Sequence, residues 1–155
     1  MIEKAVLLAH VVSTLTLVGV IWIVQVVHYP LFAGVGAAGW SAYEAGHQSR
    51  ITFVVGPLMV LELATAVWLV LQRPEGLPAG AVLTGLVLVG LLWASTAFVQ
   101  VPLHATLGGT FDADAHARLV ATNWIRTVLW TARGGLVLWV LARLLPDGLS
   151  ASGLP

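Results

Sequence analysis

Charge is what this sequence most lacks. Of its 155 residues only 9% are Asp, Glu, Lys or Arg, where a soluble domain carries roughly 25%. A water-facing surface cannot be built from so few charges, so most of the surface must face lipid. Cysteine is absent altogether, which excludes disulfides, thiolate ligands and Cys nucleophiles. Seven basic residues balance seven acidic ones and form no cluster, so nucleic acid is not a partner. The P-loop, the Rossmann glycine pattern and Gly-x-Ser-x-Gly are also missing, which argues against ATP use and serine hydrolysis.

What is present is apolar, in four long runs over about residues 5–27, 51–71, 81–101 and 119–145. Each is near or above the ~20 residues that cross ~30 Å of hydrocarbon. Lipid offers no partners to backbone groups, so these runs must be helices. They are too long and too uniform for barrel strands. The first run is also too long, and lacks the small-residue site, for a cleaved signal peptide. Pro30, Arg73-Pro74-Glu75-Gly76, Pro102, Gly108-Gly109 and Pro146-Asp147-Gly148 punctuate the runs. The expected fold is all-α: an integral-membrane four-helix bundle running up-down-up-down, a single domain over 1–149, with a disordered tail over 150–155. Lys4, Arg73 and Arg143 fall on one side, Arg50 and Arg118 on the other. That bias places both termini in the cytoplasm of a bacterial inner or plasma membrane.

The two halves read alike. Gln25, Pro30-Leu31, a polar loop and then His47-Gln48-Ser49-Arg50 parallel Gln100, Pro102-Leu103, a loop and Asn123-Trp124-Ile125-Arg126. Two pseudo-repeated hairpins would produce this. The up-down path gathers His28, His47, His104 and His116 at one end, the outer face, with Glu44, Asp112, Arg50, Arg126, Gln25, Gln100 and Asn123.

If residues 40–49 extend the second helix, Glu44 and His47 share a face at i,i+3. Carboxylate-bridged bundles present Glu-x-x-His in this way. Imidazole and carboxylate suit iron, copper or zinc, with His28, His47, His104 and then His116 as candidate ligands. Other readings stand beside this one. The same groups could form a metal-free polar pocket in which a neutral His acts as base and Arg50 or Arg126 holds an anionic oxygen. The two Arg could instead anchor to lipid phosphate, and Asp112 could simply begin the fourth helix. Deep in the membrane, Glu62 and Arg133 are expected to pair and lock the hairpins, the alternatives being a Glu62 that stays protonated or serves a proton path. His10 is expected to be a satisfied bundle contact, and Trp124 and Trp130 are better read as packing than as ligand-lining residues.

Val101-Pro102-Leu103-His104 followed by Asn123-Trp124-Ile125-Arg126-Thr127 resembles the anthrone oxygenase-like membrane proteins, a group of small four-helix proteins. The similarity covers about residues 100–133 and the His28-Tyr29-Pro30-Leu31 end of the first helix. His104 stands where that pattern has Asn. The resemblance supports the fold more than the substrate; it implies a membrane oxidoreductase of oxygenase type with Asn123, Arg126 and His104 inheriting the chemistry, and a site that opens where lipid meets water would take a lipophilic small molecule from the bilayer. In the metal-dependent version Glu44 is ligand or base, and Arg50 and Arg126 orient the substrate. Two other expectations remain: a non-enzymatic metal or haem binder or carrier, and a structural or accessory membrane subunit. Four helices make a thin bundle, which leaves room for a homo-oligomer.

Overall fold

The computed structural model describes residues 1–144, so the expected tail lies outside the described residues. The chain forms four helical rods: α1 (Ile2–Gly34), α2 (Ala37–Gln72), α3 (Ala79–Leu107) and α4 (Ala113–Leu144). All four are long and apolar enough to cross a membrane. Together they make an all-α four-helix bundle, and the chain is an integral, multi-pass membrane protein. The rods have 29 to 36 residues, which is roughly 43 to 54 Å of helix. That exceeds ~30 Å of hydrocarbon, so the rods carry polar groups beyond the apolar layer.

Short joints keep neighbouring rods antiparallel. Val35 and Gly36 alone separate α1 from α2. The second joint closes on Arg73 at φ 35°, its amide bonded to Leu69 O at 3.0 Å, and on Gly76 at φ 84°. Gly76 suits that left-handed position because it has no Cβ to clash. Asp112 begins α4, accepting from the Ala115 amide at 2.8 Å through Oδ1. This is an N-cap bond of the usual kind.

Two rods contain one widened π turn each, at Val24–His28 in α1 and Thr96–Gln100 in α3. Both have the same cause. Pro30 and Pro102 follow closely, and a proline ring crowds the carbonyl four residues before it and brings no N–H. The residue before each proline reaches one residue further back, Tyr29 N to Val24 O and Val101 N to Thr96 O. Such insertions re-aim side chains and are frequent at functional sites. Their matching places express the repeat of the two hairpins in the backbone itself.

The core runs along the bundle axis through Leu17, Ile21, Phe32, Trp40, Leu92, Leu107, Leu119 and Trp130. Trp40 donates from Nε1 to Leu107 O at 2.7 Å and so ties the start of α2 to the end of α3. Gly134 lets α4 lie close on α1, since a Cβ there would meet Val18 Cγ2 at 3.0 Å. Toward the opposite end, Glu62 and Arg133 form the expected pair at 2.8 Å, both fully buried. Thr14 and Trp130 also donate to Glu62, at 2.9 and 3.2 Å. Arg133 donates to Gly85 O, to Thr14 Oγ1 and to His10 Nε2. His10 in turn bonds Thr65 Oγ1 at 2.8 Å, the bundle contact expected for it. One polar knot thus joins all four rods.

Candidate functional site

The chain reversals bring the four imidazoles of His28, His47, His104 and His116 to one end of the bundle. His28 Nε2 and His47 Nδ1 are 2.8 Å apart. The rings of His47 and His104 lie 5.2 Å apart between centroids. His116 is set aside from this group. It stacks near Phe32 and bonds Tyr29 O through Nε2 at 2.8 Å.

A carboxylate, an imidazole and a phenol stand in series. Glu44, wholly buried, accepts a hydrogen bond from His104 Nδ1 at 2.6 Å. That fixes the ring so that Nε2 accepts from the Tyr29 hydroxyl at 2.8 Å. The Tyr29 oxygen also accepts from Arg126 Nη2 at 3.2 Å. Tyr29 therefore has a base on one side and a cation on the other. Gln48 bonds the Glu44 carboxylate at 3.1 Å and His104 O at 3.3 Å, which holds α2 and α3 in register here.

Arg126 is only 7% exposed. Among the described residues the ion pairs are Glu44 with His104 and Glu62 with Arg133, and no carboxylate pairs with Arg126. Neutral oxygens hold it instead. Asn123 Oδ1 accepts from Nε at 2.9 Å and from Nη2, and Gln100 Oε1 accepts from Nη2 at 3.5 Å. Asn123 donates to Gln25 Oε1 at 2.8 Å, and Gln25 donates to Val120 O. The polar residues paired by the repeat thus position one guanidinium. Nη1 makes no protein hydrogen bond among the described residues.

Beside this wall lies a cavity of about 300 Å³, at the lower end of the ~300–1,000 Å³ usual for small-molecule sites. Tyr29, Gln48, Gln100, His104 and Arg126 form its polar end; Leu17, Ile21, Val55, Met59, Trp93 and Trp130 form much of its apolar wall. Trp130 thus lines the cavity while its N–H holds Glu62. Trp124 is exposed and packs edge-on against Trp22 at 5.8 Å.

The expected site residues divide accordingly. His104 and Arg126 meet at the polar end, with Glu44 behind His104 and Asn123 behind Arg126 as positioning residues. His28, His47 and Arg50 line a separate surface cleft with Tyr43, and Arg50 is exposed. Two polar atoms in the cluster, Glu44 Oε2 and His47 Nε2, are buried without a partner among the described residues. Among the described residues no three His, Asp or Glu side chains are arranged around one metal position. Tyr29 is the member of this cluster that the sequence pattern leaves without a role. Its signal is the i,i+4 spacing Leu17, Ile21, Gln25, Tyr29 along the buried face of α1.

No known protein family, curated protein or solved structure matches this chain.

Proposed function

We propose that the chain is a membrane enzyme of oxygenase type that takes a proton from a lipophilic small molecule held in this cavity. The supporting observation is Arg126: a buried, permanently charged guanidinium that no carboxylate pairs with among the described residues, at the polar end of an apolar chamber. A buried cation is costly unless paired, and the free Nη1 offers the missing partner's place to a substrate oxygen. Tyr29 is the proton acceptor. Its own proton passes to His104 Nε2, and Glu44 stabilises the imidazolium that results. Arg126 holds the charge that develops on the substrate oxygen. The substrate class is then an apolar molecule with an acidic O–H, or a C–H made acidic by a neighbouring carbonyl. In the oxygenase reaction that the resemblance implies, a substrate methylene and one dioxygen give a ketone and one water. Both C–H bonds of the methylene break, one oxygen atom forms the new carbonyl, and the other leaves as water with the two hydrogens.

Binding tests the reading first. A lipophilic phenol such as 1-naphthol, titrated into the protein in nanodiscs, is expected to bind at least tenfold more weakly to Arg126→Gln, since a hydrogen bond to a charged group contributes ~1.5–3 kcal/mol. Equal affinity in the two proteins would leave the cavity as a packing void. Oxygen consumption then separates enzyme from carrier, because a carrier binds without consuming oxygen.

A metal reading has one observation of its own, the unpartnered Glu44 Oε2 and His47 Nε2. These two atoms are the donors that iron, copper or zinc would use, with the other nitrogen of His47 held by His28 at 2.8 Å. Such an ion would supply Lewis acidity or a one-electron route to dioxygen. Two donors do not complete a site, so no step above runs through a metal. Stoichiometric metal in purified protein, lost in His47→Ala, would favour this reading over the proton-only one.

A further inference from the structure

The chamber has walls from all four rods, but they are not equally closed. Its α1 and α4 walls are buried at Leu17, Ile21, Arg126 and Trp130. The exposed lining residues are Thr52 on α2 and Val101 on α3, with Gly56 and Thr96 half-buried beside them. We infer that lipophilic molecules reach the cavity sideways from the bilayer, through a mouth between α2 and α3 at Thr52, Gly56, Thr96 and Val101. The inference rests on reading the cavity as a substrate site.

The backbone of these two rods is disturbed at the level of the mouth. They are held together at both ends. At the histidine end Trp40 bonds Leu107 O and Gln48 bonds His104 O. At the other end the short joint packs Leu69 against Leu77. Between these ties each rod carries a disturbance: Pro57 inside α2, and the π turn Thr96–Gln100 in α3. Both are established causes of bending. Gly56 widens the gap, since a Cβ there would meet only Thr52 Cγ2, at 3.9 Å.

The rim shows which solvent the mouth faces. Phe53 and Phe98, one on each rod, are 83% and 81% exposed. Two bare phenyl rings beside an opening in a membrane-spanning region belong in acyl chains, so the mouth admits what dissolves there. The aqueous alternative is the cleft at His28, Tyr43, His47 and Arg50, which has a charged rim.

The absence of cysteine makes a single introduced thiol a unique reporter. Met59 lines the cavity and is 5% exposed. In nanodiscs, Met59→Cys is expected to react with bilayer-soluble N-pyrenylmaleimide at least tenfold faster than with a charged, membrane-impermeant maleimide. Thr52→Cys, at the mouth, calibrates a thiol at this depth. Leu92→Cys, buried in the core away from the cavity, is expected to stay unlabelled. Adding Gly56→Trp to Met59→Cys is expected to slow labelling at least tenfold, and Val101→Trp on the opposite lip gives the same reading should the first plug unfold the chain. The lateral route is overturned if the charged reagent labels Met59→Cys equally well, if a folded plugged variant labels at the original rate, or if Met59→Cys stays inert while Thr52→Cys reacts. No turnover is needed. Arg126→Gln is expected to leave the labelling unchanged, so failure of the catalytic reading would show separately.

Discussion

Glu62→Gln is expected to destabilise the fold by about 3–5 kcal/mol, the range found when one member of a buried ion pair is removed. Gln keeps the length of the side chain and an oxygen for Thr14, and removes the charge together with the acceptor of the Trp130 N–H. What remains is an Arg133 guanidinium, 0% exposed, with Gly85 O, Thr14 Oγ1 and His10 Nε2 as neutral partners. A guanidinium cannot shed its proton to escape. The double replacement Glu62→Leu with Arg133→Met removes the uncompensated charge and is expected to recover much of the loss, since apolar substitutes for buried pairs are often neutral or better. It should not recover all of it, because Trp130, Thr14 and His10 each lose a partner. Thermal unfolding in detergent, followed by helical ellipticity, checks the order: wild type most stable, double variant between, Glu62→Gln least. A Glu62→Gln protein as stable as wild type would mean that the knot contributes nothing to holding the rods together.

That pair was legible in the sequence because intramembrane charges are rare and two of opposite sign stood at similar depth on rods of one bundle. The four spans were legible for the same kind of reason, since run length alone decides them. The meeting of His28, His47 and His104 followed from chain reversal, which needs no knowledge of side-chain direction. Direction is where sequence spacing fell short. Arg50 and Arg126 hold equivalent places in the repeat, three residues after His47 and Asn123. Yet Arg50 is exposed and Arg126 is buried. Residues on a helix advance by about 100° each, so steps of three lag the axis by about 60° apiece. Two such steps from Glu44 carry Arg50 about 120° off the face that Glu44 presents. Arg126 stays inside because Asn123 and Gln100 offer it acceptors there. Tyr29 continues the inward stripe Leu17, Ile21, Gln25 at i,i+4 spacing and was legible as a buried position, but its bond to His104 on another rod was not, because spacing along one helix says nothing of partners across the bundle.

Tyr29 is also where the chemistry is most exposed to test. Tyr29→Phe keeps the ring, 3% exposed and packed near Phe32, and deletes only the hydroxyl. His104 Nε2 then loses its donor and Arg126 Nη2 one acceptor. Oxygen-consuming turnover is expected to fall by about 10²–10⁴, the usual contribution of one positioned acid–base group, with KM little changed because Arg126 remains to hold substrate. His104→Asn sharpens the point, since it installs the residue that stands here in the resembling family. An Asn side-chain amide can still donate to Glu44 but cannot carry a proton onward from Tyr29. If His104 serves only to brace Glu44, the Asn variant should retain its kcat. If it is the second carrier of the proton, kcat falls as in Tyr29→Phe, and the double variant loses little more than either alone, because groups that act in series are not additive. Arg126→Gln should differ from both in raising KM, and Arg118→Ala, at an exposed position away from the cavity, should change neither constant. A Tyr29→Phe protein that turns over at the wild-type rate would remove the phenol from the path and with it the proton-abstraction reading of the whole cluster.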